Sequence, residues 1–295
     1  MDAELTEGPR SLDEVRREID EIDRGMHQLL MKRAELVVEV AAAKAEAARQ
    51  SGEELGSALR PSREAQVLRA LAERHDDLLP LKVVFRVWRE IISAKTCLQG
   101  PFRAVVYTGS DSLQYWDLAR NQYGASTPME PVASAREVLR RVAEDRYALG
   151  VLPFPSGSQD ADWWRHLGAK GPKVVAALPF LADDKGMSGW RALAVAQAPF
   201  EESGEDVSLF AIAAKEGGES AISRLVAKMD LSAEPLAVVR EETGQVRMLV
   251  AVDGFVGEED ERLARLAAEP TLEHVYALGG YAKPLKPAAH PSRAV

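Results

Sequence analysis

Residues 11–45 read SLDEVRREIDEIDRGMHQLLMKRAELVVEVAAAKA. Ser11 followed three residues later by Glu14 has the form of a capping box, which predicts that a helix begins there. Val15, Ile19, Ile22, Met26, Leu29, Leu30, Leu36, Val37 and Val40 then recur at intervals of three and four, the spacing of one helix face. Gly25 is the sole helix-weakening residue in this run, and no proline interrupts it. A seam this long cannot bury itself within one short domain, so a partner helix from a second copy of the chain is expected, giving a homodimer.

Two cations lie on that seam. Arg33 stands seven residues after Met26 and four before Val37, and Lys44 stands four after Val40. Their spacing of eleven residues is about three turns, which leaves them within roughly 20° of each other around the axis. Unpaired buried charge is costly, and no acidic residue shares the stripe nearby, so an anionic ligand is one reading. The other is that both side chains lay their stems along the core and put their charged ends in water.

Outward from this helix, Glu46 to Leu59 is polar and contains Gly52, Gly56 and Ser57, which predicts a helix end and a loop. Pro61 opens a second, shorter helix through Val67, Leu68 and Leu71, and a third runs from Pro80 through Val84, Val87, Ile91 and Leu98. Gly100 and Pro101 stop it.

At the level of the whole chain, 295 residues predict two or three compact units with enough apolar content for true cores. One cysteine, Cys97, and no apolar run of eighteen residues point to a cytoplasmic protein with no membrane association. A formal net charge of -9 argues against general nucleic-acid binding, because a phosphate backbone needs a basic face. Five scattered histidines, His27, His75, His166, His274 and His290, lack metal-ligand spacing, so neither a metal nor a cofactor is expected.

The helical segment carries more specific letters. L-D-x-x-R-x-x-I-D-x-I-D spans Leu12 to Asp23, and L-L-x-x-R spans Leu29 to Arg33. Lys44 follows, then R-x-x-R-E from Arg60 to Glu64, and W-R-E-I-I-S-x-x-x-x-L-Q from Trp88 to Gln99. In order and approximate spacing this set resembles the helical chorismate mutase family. The resemblance implies an all-α, three-helix domain over residues 11–100, intertwined as a dimer, with chorismate as substrate and prephenate as product. Arg16 from the partner and Arg33 would hold the two substrate carboxylates, for which guanidinium groups are suited. Lys44 and Gln99 would bond the ether oxygen, Arg63 would bind a carboxylate, and Glu64 would accept from the ring hydroxyl. The reaction is an intramolecular rearrangement, so it needs a held shape and charge stabilisation but no nucleophile. Arg60 stands where the family has a carboxylate, and Lys95 stands where it often has a small hydroxyl residue.

After Pro101 the pattern turns to α/β. Val105 to Tyr107 and Ala148 to Pro153 read as strands, Thr108 to Ser112 as a turn, and Leu113 to Asn121 as a helix. The turn has the makings of an anion cradle at a helix N-terminus but lacks a P-loop lysine. Residues 103–200 resemble a truncated prephenate dehydratase module. Leu149 to Ser156 is similar to one of its segments, yet Trp190, Arg191 and Ala192 replace its T-R-F motif, which implies lost dehydratase activity. Residues 205–285 resemble an ACT domain of βαββαβ order: strands at 207–214, 236–240, 246–253 and 272–278, and helices at 219–229 and 258–268. The glycine-rich turn of that family is reduced to Glu216 to Ser220. Two rival readings remain. A still bifunctional mutase/dehydratase is opposed by Trp190 and the short middle lobe, and a non-catalytic regulatory dimer is opposed by the retention of Arg33, Lys44 and Gln99.

Overall fold

The computed structural model describes residues 10–52, 56–76, 78–109, 112–155, 159–182, 191–215, 218–228, 232–241 and 244–286. The chain divides into two compact units, residues 1–55 and 56–295.

The first unit is one helix, α1 (Leu12–Ser51), of 40 residues. Its N-terminus is closed by the expected capping box between Ser11 and Glu14, and Gly52 ends it in the left-handed region at φ 72°. The helix runs past the polar onset at Glu46 because that stretch is itself helix-favouring. Ala45, Ala47 and Ala48 carry high propensity, Glu46 pairs with Arg49 at 2.5 Å, and Gln50 donates to Glu46 at 2.8 Å. At 1.5 Å per residue α1 is about 60 Å long. Much of its apolar seam is uncovered in the single chain: Ile22 is 55 % exposed, Met26 53 % and Leu29 69 %.

The second unit begins with α2 (Pro61–Arg74) and α3 (Leu81–Gln99). An α/β region follows: β1 (Arg103–Tyr107), α4 (Ser112–Tyr123), β2 (Met129–Val132), α5 (Ala135–Glu144), β3 (Ala148–Pro153), the 3-10 helix Gln159–His166, β4 (Lys173–Leu178) and β5 (Ala192–Ala196). The chain closes with β6 (Asp206–Ala214), α6 (Gly218–Lys228), β7 (Ala233–Arg240), β8 (Val246–Asp253), α7 (Glu261–Ala267) and β9 (Leu272–Ala282). Among the described residues nine strands form one sheet in the order β2-β1-β3-β5-β4-β9-β6-β8-β7. β1 is parallel to both β2 and β3, and β5 returns antiparallel between β3 and β4.

The last four strands are mutually antiparallel, and their alternation sorts side chains between two cores. Phe210, Ile212, Met248 and Val250 meet Ile222, Leu225, Leu263 and Leu266 of the two covering helices. Leu209, Ala211, Leu249 and Ala251 point the other way and join the larger core built from Leu149, Leu152, Trp164 and Leu193. The regions expected at 103–200 and 205–285 thus share a sheet and a core. They are welded where β4 runs parallel to β9, with Val174 opposite Gly279. Gly279 has φ +93°, and a Cβ there would stand 2.3 Å from the Val174 carbonyl oxygen, so the approach requires glycine.

α2 and α3 fall with the sheet rather than with α1. Leu68 of α2 and Phe85 of α3 pack with Phe180, and Leu181, Ala282 and Leu285 extend the same cluster. Among the described residues no helix is long and apolar enough to cross a membrane.

Candidate functional site

On α1, Arg16 is exposed and lies 3.7 Å from Asp13 in a surface pair one turn away. Arg33 and Lys44 are both half-buried on the same helix. Their eleven-residue separation aligns them to roughly 20°, whereas Arg16, seventeen residues before Arg33, faces about 100° away. Along a straight helix Arg16 and Lys44 are about 42 Å apart. A small molecule therefore cannot touch both on one copy of α1.

On α2, the neighbours Arg63 and Glu64 differ in burial. Arg63 is exposed and donates to the Gln66 side chain at 3.3 Å. Glu64 is buried, and Arg89 Nη1 of α3 donates to its Oε2 at 3.0 Å, the two side chains being 7 % and 6 % exposed. Arg60 and Ser62 of the R-x-x-R-E motif bond to the segment between β5 and β6 of the same unit. Arg60, found where a carboxylate was expected, pairs with Glu201 at 3.1 Å, and the Ser62 hydroxyl donates to the Glu201 carbonyl. Gln99 is the last residue of α3, half-buried and followed by Gly100.

The Glu64 environment is electrostatically one-sided. Burial pushes its carboxyl above the usual carboxylate range, and the charges of Arg89 and of Lys95 farther along α3 oppose that shift. Burial likewise pushes the Arg89 guanidinium down, opposed by Glu64. A guanidinium does not give up its proton in a protein, so Arg89 stays charged and favours the ionised form of Glu64 against the effect of burial. Arg89 lies over the Phe180 ring, 5.6 Å from its centroid. The Tyr123 hydroxyl, at the end of α4, is buried without a hydrogen-bond partner among the described residues, and burial raises it above the usual phenol range. The cavity bounded by Glu64, Arg89, Gln122 and Tyr123 measures about 10 Å³, the room of one water and no more.

The resemblance places Glu64 at a ring hydroxyl; in the folded chain Arg89 occupies its carboxylate. Reading the sequence overlooked Arg89, although a signal existed. Phe85, Arg89, Ile92, Ser93 and Thr96 form the buried stripe of α3, so Arg89 is a cation on an apolar face just as Arg33 is. Of the turn proposed as an anion cradle, Ser110 and Asp111 lie outside the described residues, as do Ser156, Trp190 and the Glu216 end of the reduced ACT turn. Among the described residues no group of three or more His, Cys, Asp or Glu side chains is placed to hold a metal ion.

Residues 15–100 match the family model for chorismate mutase type II, so the N-terminal segment is a domain of that kind. The chain is 31% identical over 147 residues to the bifunctional chorismate mutase/prephenate dehydratase of Stutzerimonas stutzeri, covering 50% of this chain and 40% of that one. It is 29% identical over 147 residues to the protein of the same description from Pseudomonas aeruginosa, with the same shares. The chain therefore spans about 40% of the length of these curated relatives. A prephenate dehydratase structure from Streptococcus mutans aligns over 63% of this chain and 99% of that one, at 14% identity and a TM-score of 0.44.

Proposed function

We propose that the protein is a chorismate mutase, an isomerase that rearranges chorismate to prephenate and works as a homodimer joined through α1. The observation that carries this reading is α1 itself. It holds two half-buried cations, Arg33 and Lys44, on one line of a helix whose apolar seam stands uncovered in the single chain. A second copy of α1 supplies the missing cover, and its Arg16 supplies the cation that a single helix cannot bring within reach.

The groups assigned to substrate are Arg33, Lys44, Arg63 and Gln99 of one chain and Arg16 of the other. The arginines bind the two carboxylates in bidentate fashion and hold the ends of the molecule in the reactive shape. Lys44 and Gln99 donate to the ether oxygen, which gains negative charge as its bond to carbon stretches. Bonds form and break within the substrate, so no proton or covalent intermediate passes through the protein.

For residues 205–285 we propose an ACT-like module. The support is the βαββαβ order with strands arranged β9-β6-β8-β7 and both helices on one face. Its role is architectural or regulatory, and residues 103–200 are a dehydratase-like region without dehydratase activity. The description of the relatives favours a second reading, in which both activities are present.

One assay separates these readings: loss of chorismate absorbance with purified protein, with and without phenylalanine, followed by acid conversion of prephenate. Prephenate accumulating without phenylpyruvate is the expected result. Phenylpyruvate formed before acid treatment establishes the bifunctional enzyme, and unchanged chorismate overturns the mutase reading.

A further inference from the structure

Among the described residues of its unit, α2 is tied down along one side, while Arg63 and Gln66 are exposed on another. Among the described residues its tied side bonds to α3 and to the sheet-bearing part of its own unit. Arg60 and Ser62 reach Glu201, and Glu64 meets Arg89. Arg69 donates to the Ser203 carbonyl at 2.9 Å, the Ser203 hydroxyl at 3.0 Å and the Glu205 carbonyl at 2.7 Å. α3 is tied in turn, since the Ala125 amide donates to Glu90 at 2.9 Å, just beyond Tyr123. Hydrophobic contact alone leaves a helix able to roll by small amounts, because apolar packing is not directional. Bonds at positions 60, 62, 64 and 69 remove that freedom, and the buried ion pair is the most demanding of them because neither charge tolerates losing the other. Arg63 shares a turn with Glu64 and projects from the exposed side, so the roll of α2 sets where its guanidinium points.

We propose that Glu64 is a positioning residue that acts through Arg89: the buried pair fixes the roll of α2 and thereby aims Arg63 at a substrate carboxylate. The aim of Arg63 rests on the mutase reading, while the lock between α2 and α3 does not. The sheet-bearing part of the chain then has a task in the mutase that involves no chemistry of its own, since it supplies the ground against which α2 is braced.

The test uses the whole 295-residue chain, with kcat and KM from chorismate loss and stability from thermal melting. Arg89→Met and Glu64→Leu are each expected to raise KM at least tenfold while kcat moves less than threefold. The double variant is expected to show a KM raised about as far as in the single variants and not further, because the two residues act as a unit. Arg89→Lys, which keeps the charge, is expected to bring KM back to within threefold of wild type. The proposal is overturned if Arg89→Met leaves KM unmoved, or if the double variant regains wild-type KM, which makes the pair structural only. It is equally overturned if Glu64→Leu is far more damaging than Arg89→Met, which puts the carboxylate itself on the substrate. If wild-type protein neither binds nor converts chorismate, the mutase reading fails and the lock is judged by melting. Each single variant should then lower the midpoint by roughly 5–20 °C and the double by less than the worse single. Additive losses sink the lock as well.

Discussion

Arg89 shows what a buried cation on an apolar stripe asks for: an anion at 3.0 Å and an aromatic face beside it. The same periodicity argument that singles out Arg33 and Lys44 on α1 applies to Arg89 on α3. That argument marks Arg89 as a cation in want of an anion but does not name Glu64, because pairing between helices is not written in the spacing of either one. For Lys44 the proposed partner is the ether oxygen in the transition state, so Lys44→Ala is expected to lower turnover at least about a hundredfold in the chorismate assay. Near wild-type turnover removes Lys44 from the site. A second prediction at this scale concerns pH. His166 and His274 are both held below the ordinary imidazole range, first by burial and then by neighbouring arginines. These are Arg165, Arg136 and Arg247 for His166, and Arg247 for His274, where Glu273 and Glu241 pull the other way. The folded protein thus resists a proton that the unfolded chain accepts near pH 6.5, so stability is full above that value and falls as pH drops through it. The urea midpoint should decline between about pH 7 and pH 5, and His274→Gln should flatten that slope. An unchanged slope in the variant assigns the acid limb elsewhere.

At the scale of elements, the helices were the legible part. Ser11 and Glu14 mark the start of α1, Pro61 opens α2, and Gly100 closes α3 where expected. α5 carries a comparable mark in Ser134 and Glu137, with the Ser134 hydroxyl accepting from the Glu137 amide and Val138, Leu139 and Val142 following on its buried face. β4 and β5 were not legible in the same way. K-V-V-A-A-L and A-L-A-V-A are buried on both faces, so they show no alternation, and their alanines favour helix as much as strand. The apolar seam of α1 yields the prediction proper to this scale. Leu29→Asp places a charge at a position 69 % exposed in the single chain, so the chain's own fold should tolerate it. It should nevertheless split the dimer in light scattering and abolish mutase activity together with it. A variant that stays dimeric moves the interface off α1.

For the molecule as a whole, the sequence supports three regions, whereas the structure divides into a unit holding α1 and a unit in which α2 to β9 include a single sheet. The shared sheet was not readable because its weld joins residues 174 and 279, and no local pattern reports a pairing across that separation. The consequence for a truncated chain is direct. Residues 1–100 alone lose the cover that Phe180, Leu181, Ala282 and Leu285 provide for Leu68 and Phe85, and they open the Glu64–Arg89 pair to water. Such a fragment is expected to lack a cooperative thermal transition by circular dichroism and to aggregate on gel filtration. A sharply melting, active fragment shows instead that the helices need no support from the sheet. Gly279 also gives the order in which the protein is made a physical meaning. β4 leaves the ribosome about a hundred residues ahead of the strand that pairs with it, and until Gly279 slides past the Val174 carbonyl one flank of β4 is an open edge. Newly made chains carry that exposed template for as long as synthesis takes, and the last strand to arrive is the one that retires it.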